Sequence, residues 1–266
     1  MKKLLSLLLA LAMIVCIVPV CKAGELQQTA YEIVNLNGVN IEYGIYGDKN
    51  AEPLLLLSPN GGDMHSFDGH ILPEMAKHYK VICVSVRGTG NSDWIDGEMT
   101  FEAMADDIKA LLDYLGIKKT RVFGFSDGGN LGIIFTLRHQ EYVSSLAVMG
   151  ANINTWGTKT FTQMQITYQW IILCIESAIY DDPEYGRRRD IKGMMACQPN
   201  LKFSDLSAIK VPFFNIYGER DMMWRWHSEK ITESVENAKG LMVKDAGHGD
   251  YHERIVPDLL AFFADK

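Results

Sequence analysis

Four short apolar runs constrain this chain more than any other feature: PLLLLS (53–58), VICVSV (81–86), RVFGF (121–125) and VSSLAVMG (143–150). Their near-continuous apolar character is the pattern of strands covered on both faces. Helix-like segments separate them, around Ile71 to His78, over 101–117 (FEAMADDIKALLDYLGI) and over 128–140 (GGNLGIIFTLRHQ). Strands alternating with helices predict an α/β fold with a mostly parallel sheet flanked by helices. Two alternating runs from Tyr31 to Tyr46 flank Asn37-Gly38, which predicts a leading hairpin. Residues 151–205 break the rhythm. They are rich in Trp, Tyr, Met and Ile and lack compact strand signals, so a helical insertion is expected there. VPFFNIYGERD (211–221) and GLMVKDAGHGDY (240–251) then resume the strands, with a helix from Trp226 to Asn237 between them and another at the C-terminus.

The chain has 266 residues, 47% of them hydrophobic, enough to bury one sizeable core. A net charge of −7 argues against a nucleic-acid partner, because no basic stripe is available for phosphates. The dense basic cluster, Arg187-Arg188-Arg189, reads as a solvated helix turn. Residues 1–23 begin with Lys2 and Lys3, continue through an apolar run from Leu4 to Val20, and end at Ala23. That order predicts a signal peptide cut after Ala23, and a secreted or cell-envelope protein with no membrane partner after cleavage. An uncleaved N-terminal membrane anchor is the alternative. Removal of 1–23 would take the net charge to −10 and leave three cysteines, Cys83, Cys174 and Cys197. The sequence leaves open whether Cys174 and Cys197 pair, and says nothing of oligomeric state.

The stretch RVFGFSDGGN (121–130) sets Ser126 between Gly124 and Gly128, after a strand and before a helix. A chain that turns from strand to helix through one residue strains the backbone there and tolerates no bulk beside it. The turn presents the hydroxyl above the sheet, near the positive end of the following helix. A serine hydroxyl needs a base to become a nucleophile. His248 in DAGHGD and Asp221 in GERD each follow a strand, giving the chain order Ser126, Asp221, His248. Glu219 and Asp245 are the competing acids, with Asp221 preferred; His252 is expected on the surface of the final helix.

With these residues in place the sequence resembles the α/β-hydrolase superfamily, in particular small serine esterases with a helical cap between the sixth and seventh strands, from about Ile33 to Phe263. The resemblance implies an eight-stranded α/β-hydrolase sheet, with a core of 24–150 and 206–266 and a cap of 151–205. It also matches VRGTGNSD (86–93) to the family's R-G-x-G-x-S turn, where Arg87, Gly88, Gly90 and Ser92 shape a loop beside the site. Where relatives carry His-Gly after the third strand, this chain has Ser58-Pro59-Asn60-Gly61-Gly62. The resemblance makes the backbone N–H groups of Asn60 and Asp127 the oxyanion-hole donors. Trp156, Phe161, Tyr168, Met222 and Trp224 are the expected lining of an apolar substrate pocket under the cap. No metal or cofactor motif is present in the sequence. The expected activity is hydrolysis of a small, largely apolar carboxylic ester by a Ser126–His248–Asp221 triad. Other triad chemistries (amide, lactone or C–C hydrolysis, perhydrolysis) and a non-catalytic ligand receptor are the alternatives.

Overall fold

The computed structural model describes residues 26–264; the expected signal peptide, 1–23, lies outside the described residues. Strands β1 (Gln28–Leu36) and β2 (Val39–Tyr46) form the leading hairpin. Asn37 and Gly38 take φ of 53° and 82°, the positive angles that a turn matched to the strand twist requires. The sheet continues with β3 (Pro53–Leu57), β4 (Lys80–Ser85), β5 (Thr120–Phe125), β6 (Val143–Met149), β7 (Phe213–Gly218) and β8 (Ala238–Val243). The eight strands lie in the order β1-β2-β4-β3-β5-β6-β7-β8. β2 runs antiparallel to β1 and β4, and every other pairing is parallel.

Successive strand residues point to opposite faces, so the continuous apolar runs load two cores. Leu55 and Leu57 of β3 pack on the side of α2 (Phe101–Tyr114) and α3 (Asp127–His139). Leu54 and Leu56 pack on the side of α1 (Ile71–Met75) and α7 (His252–Ala264). α1 is shorter than the expected helix to His78. After Met75 the chain tightens into turns, with the His78 and Tyr79 N–H groups both donating to the Met75 carbonyl, because Lys80 must already enter β4.

Between β6 and β7 lie α4 (Thr160–Ile179) and α5 (Pro183–Cys197), packed on each other. Near the base of this segment Asn154 bridges Asn200, and the Leu201 N–H donates to the Ile153 carbonyl at 2.8 Å. α5 is fastened to the sheet rim: Arg187 donates to the Gly88 carbonyl at 3.0 Å, and Asp190 accepts from the Trp94 indole at 3.0 Å and the Gly97 N–H at 3.1 Å. α4 is the outer helix and buries only Ile166 and Leu173 of its 20 residues. Cys174 and Cys197 are both free thiols, on α4 and α5.

The turn after β4 is held by charge. Arg87 donates to both carboxylate oxygens of Asp107 on α2, at 2.8 and 2.9 Å, and both side chains are buried. Ser92 Oγ donates to the Ser85 carbonyl at 2.6 Å and accepts from the Glu42 N–H at 2.8 Å. Removing one partner of such a pair strands the other charge away from water, so Arg87→Ala should lower stability by about 3–5 kcal/mol in urea unfolding. A loss below about 1 kcal/mol would show the pair to be solvated.

Candidate active site

The end of β5 meets α3 with almost no space between backbones. A Cβ on Gly128 would lie 2.0 Å from the Leu57 carbonyl oxygen, and one on Gly124 would lie 2.1 Å from the Gly128 oxygen. Only glycine fits either position. Ser126, between them, is held at φ 56° and ψ −120°, with its N–H donating to the Met149 carbonyl at 2.8 Å. A non-glycine residue at positive φ is strained, and here β5, β6 and α3 together impose it.

The rim of the sheet brings the three expected residues together. Ser126 Oγ lies 2.9 Å from His248 Nε2, and His248 Nδ1 lies 2.7 Å from Asp221 Oδ1. The carboxylate fixes the tautomer, since an acceptor-only oxygen facing Nδ1 requires the proton there and leaves Nε2 to accept from the serine. Asp221 is buried and also accepts from the Met223 N–H at 3.1 Å. Of the competing acids, Glu219 accepts from the Asp245 N–H at 2.9 Å, and among the described residues neither Glu219 nor Asp245 hydrogen-bonds His248. Sequence patterns do not single out Gly150, although the triad rests on it. At φ 61°, a Cβ there would lie 2.9 Å from His248 Cε1 and 3.4 Å from Asp221 Oδ2. Its only sequence signal is a glycine immediately after β6.

Beside Ser126, the Asn60 side-chain amide donates to Asp127 Oδ2 at 2.8 Å and to the Ile191 carbonyl of α5 at 2.7 Å. One side chain therefore ties the loop after β3, the turn after β5 and the cap together. The Asn60 and Asp127 N–H groups have no hydrogen-bond acceptor among the described residues. Asp127 Oδ1 accepts from Asn130 at 3.1 Å, and enclosure of the carboxyl pushes its pKa up to about 6 in spite of these donors.

Two expectations need correction. The apolar residues foreseen as a chamber do not close over Ser126. Trp156, Phe161 and Tyr168 are 83%, 72% and 66% exposed, and the groove of about 700 Å³ lined by Trp156, Tyr168 and Trp224 includes neither Phe161 nor Met222 nor any triad residue. For Phe161 and Tyr168 the physical reason is the position of α4, which packs on α5 rather than on the sheet and turns these two side chains outward. The cavity bordered by Asn60 and Asp127 is instead small, about 20 Å³, with Met99, Phe101, Met104, Leu131 and Met194 on its walls. His252, expected on the surface, packs edge-on against Phe125 at 4.8 Å, and Phe125 in turn lies 5.1 Å from the His248 ring. Burial holds the His252 pKa below the usual imidazole value. His227 is likewise interior, its Nε2 accepting from the Ile153 N–H at 3.2 Å and its pKa lowered by burial to about 4.

The raised Asp127 pKa couples protonation of this carboxyl to folding. Between pH 4 and 6 the folded chain holds a proton that the unfolded chain has released, so this group's contribution to stability falls as pH rises through that window. Relative to Asp127→Asn, the wild type should lose on the order of 2 kcal/mol from pH 4 to pH 7 in denaturant titrations. Parallel curves for the two proteins would show that the carboxyl is solvated.

Residues 52–171 match the family described as alpha/beta hydrolase fold. The mouse protein named serine hydrolase BPHL is 22% identical over 253 residues, covering 85% of this chain and 85% of that protein. A hydrolase from Pseudomonas aeruginosa PA01 superimposes with a TM-score of 0.72 at 21% identity, over 91% of this chain and 99% of its own. The enol-lactonase from Burkholderia xenovorans LB400 gives 0.70 at 19% identity, over 88% and 100%. With its eight-stranded sheet, its strand order and this family match over residues 52–171, the chain has the α/β-hydrolase fold.

Proposed function

We propose that this protein is an exported serine hydrolase, a carboxylesterase acting on small, largely apolar esters. The observation that carries the reading is the unbroken hydrogen-bonded line Ser126–His248–Asp221, at 2.9 and 2.7 Å, beneath a serine held at positive φ. Its relatives are named hydrolases, and one structural neighbour is named for lactone chemistry, which also breaks an ester bond.

Each residue then has one task. Ser126 Oγ attacks the ester carbonyl carbon while His248 Nε2 takes its proton. Asp221 holds the ring and stabilises the imidazolium that forms. The carbonyl oxygen becomes an oxyanion and accepts from the Asn60 and Asp127 N–H groups, beside the positive end of α3. Collapse expels the alcohol, which leaves with the proton from His248, and an acyl-serine remains. Water, deprotonated by His248, attacks that acyl group, and the carboxylic acid departs as Ser126 regains its proton.

The walls of the cavity beside Asp127 set the expected selectivity. Thioether and aromatic side chains suit a short acyl chain, and the Asp127 carboxylate opposes an acyl group with its own negative charge. Short p-nitrophenyl esters should be turned over with a higher kcat/KM than emulsified long-chain triglycerides or acidic half-esters. The reverse ranking would remove the small-ester reading. Ser126→Ala and His248→Ala should abolish turnover with the fold retained, and Asp221→Asn should lower kcat on the order of 10⁴-fold, as loss of the correct tautomer does in serine proteases. Full activity in Ser126→Ala would exclude the mechanism.

Export rests on the basic, apolar and small-residue order of residues 1–23. Mass spectrometry of the protein from its native cell should find an N-terminus near Gly24, whereas an intact Met1 in the membrane fraction would favour an anchor.

A further inference from the structure

The outer cap helix carries an apolar face that nothing among the described residues covers. Phe161, Met164, Tyr168, Ile171, Ile175 and Ile179 are 47–72% exposed. They recur at intervals of three and four residues along α4, so they form one stripe down the helix. Beside it runs the groove of about 700 Å³, with Trp156, Trp224 and Trp226 on its far wall. Together these side chains expose apolar surface on the order of 1,000 Å², beyond the ~300–600 Å² of the largest patch on a typical monomer and comparable to the ~800 Å² that each partner buries in a stable complex.

We propose that this face joins two copies of the chain, with α4 of each protomer set against α4 and the tryptophan groove of the other. Three features select a second copy over other occupants. The spacing of three and four is that of helix–helix seams, in which side chains of one helix enter gaps of the next. A twofold contact requires the same patch to supply both a ridge and a groove, and here the two lie side by side. Two identical chains of net charge −7 repel except where their surfaces are neutral, and α4 carries a single charged residue, Glu176. The same composition disfavours a lipid surface: α4 has no Lys or Arg, the residues that line the polar face of membrane-surface helices, and an acidic protein is repelled by anionic headgroups.

The dimer places the active sites on a shared platform without adding a residue to either triad, so its test is independent of the proposed esterase activity. Sedimentation velocity of the purified protein at micromolar concentration should give twice the monomer mass. Ile175→Glu combined with Ile179→Glu should give the monomer with far-UV circular dichroism unchanged, since both positions face solvent within one protomer. A wild type that remains monomeric throughout the micromolar range, or a double variant that still dimerises, would overturn the proposal. Hydrogen–deuterium exchange of the unmodified protein tests it without mutation: protection of residues 160–179 should fall on dilution to nanomolar concentration, and protection independent of concentration would contradict it. Co-flotation of the wild type, but not the double variant, with phosphatidylcholine–phosphatidylglycerol vesicles would assign the face to lipid instead and overturn the dimer.

Discussion

The contact on which the site depends is between backbones. Gly128 lies so near the Leu57 carbonyl that no side chain fits between them, and Gly124 meets the Gly128 carbonyl as closely. This approach draws the start of α3 onto the ends of β3 and β5. Two consequences follow from one geometry. Ser126 is forced to positive φ with its hydroxyl facing His248, and the loop that begins at Ser58 is pressed beside the residue that follows the nucleophile. A nucleophile and its anion-binding donors must be fixed relative to each other, and packing of main chain fixes them more firmly than side-chain contacts do.

The cap is coupled to that geometry unequally. α5 is bound to the rim by polar contacts to Gly88, Trp94 and Gly97, and its Ile191 carbonyl shares the Asn60 amide with Asp127. Any displacement of α5 must therefore break or drag the loop that carries Asn60, the proposed oxyanion donor. α4 has no such anchor and contributes little to the core. The insertion thus divides into an inner helix tied to the Asn60–Asp127 pair and an outer helix that presents an apolar face.

The sheet and the convergence of Ser126, Asp221 and His248 were legible in the sequence for physical reasons. Strands buried on both faces must be apolar throughout, so β3, β4, β5 and β6 announce themselves, and Asn37-Gly38 marks the hairpin because few residues accept its angles. Ser126, Asp221 and His248 were found together because each lies on the loop or turn that leaves the end of a strand, and the ends of parallel strands share one rim. The cap resisted the same reasoning. α4 is apolar on nearly every side, so its periodicity selects no buried face, and Phe161 and Tyr168 could be assigned inward with no contradiction in the sequence. Gly150 and the Asn60 side chain act through close approach and through partners more than 60 residues away, which no local pattern encodes. His252 looked exposed from its place at the start of a helix, yet Phe125 covers its ring.

The central claim is that Ser126 forms a covalent bond to the group it attacks. Intact-mass and peptide mass spectrometry after treatment with a fluorophosphonate tests it most directly, because that reagent needs both an activated serine and an anion-binding hole to react. One adduct per chain is expected, located on Ser126 and blocked by prior incubation with a slowly hydrolysed ester. No adduct, or an adduct on a different serine of the folded protein, would contradict it.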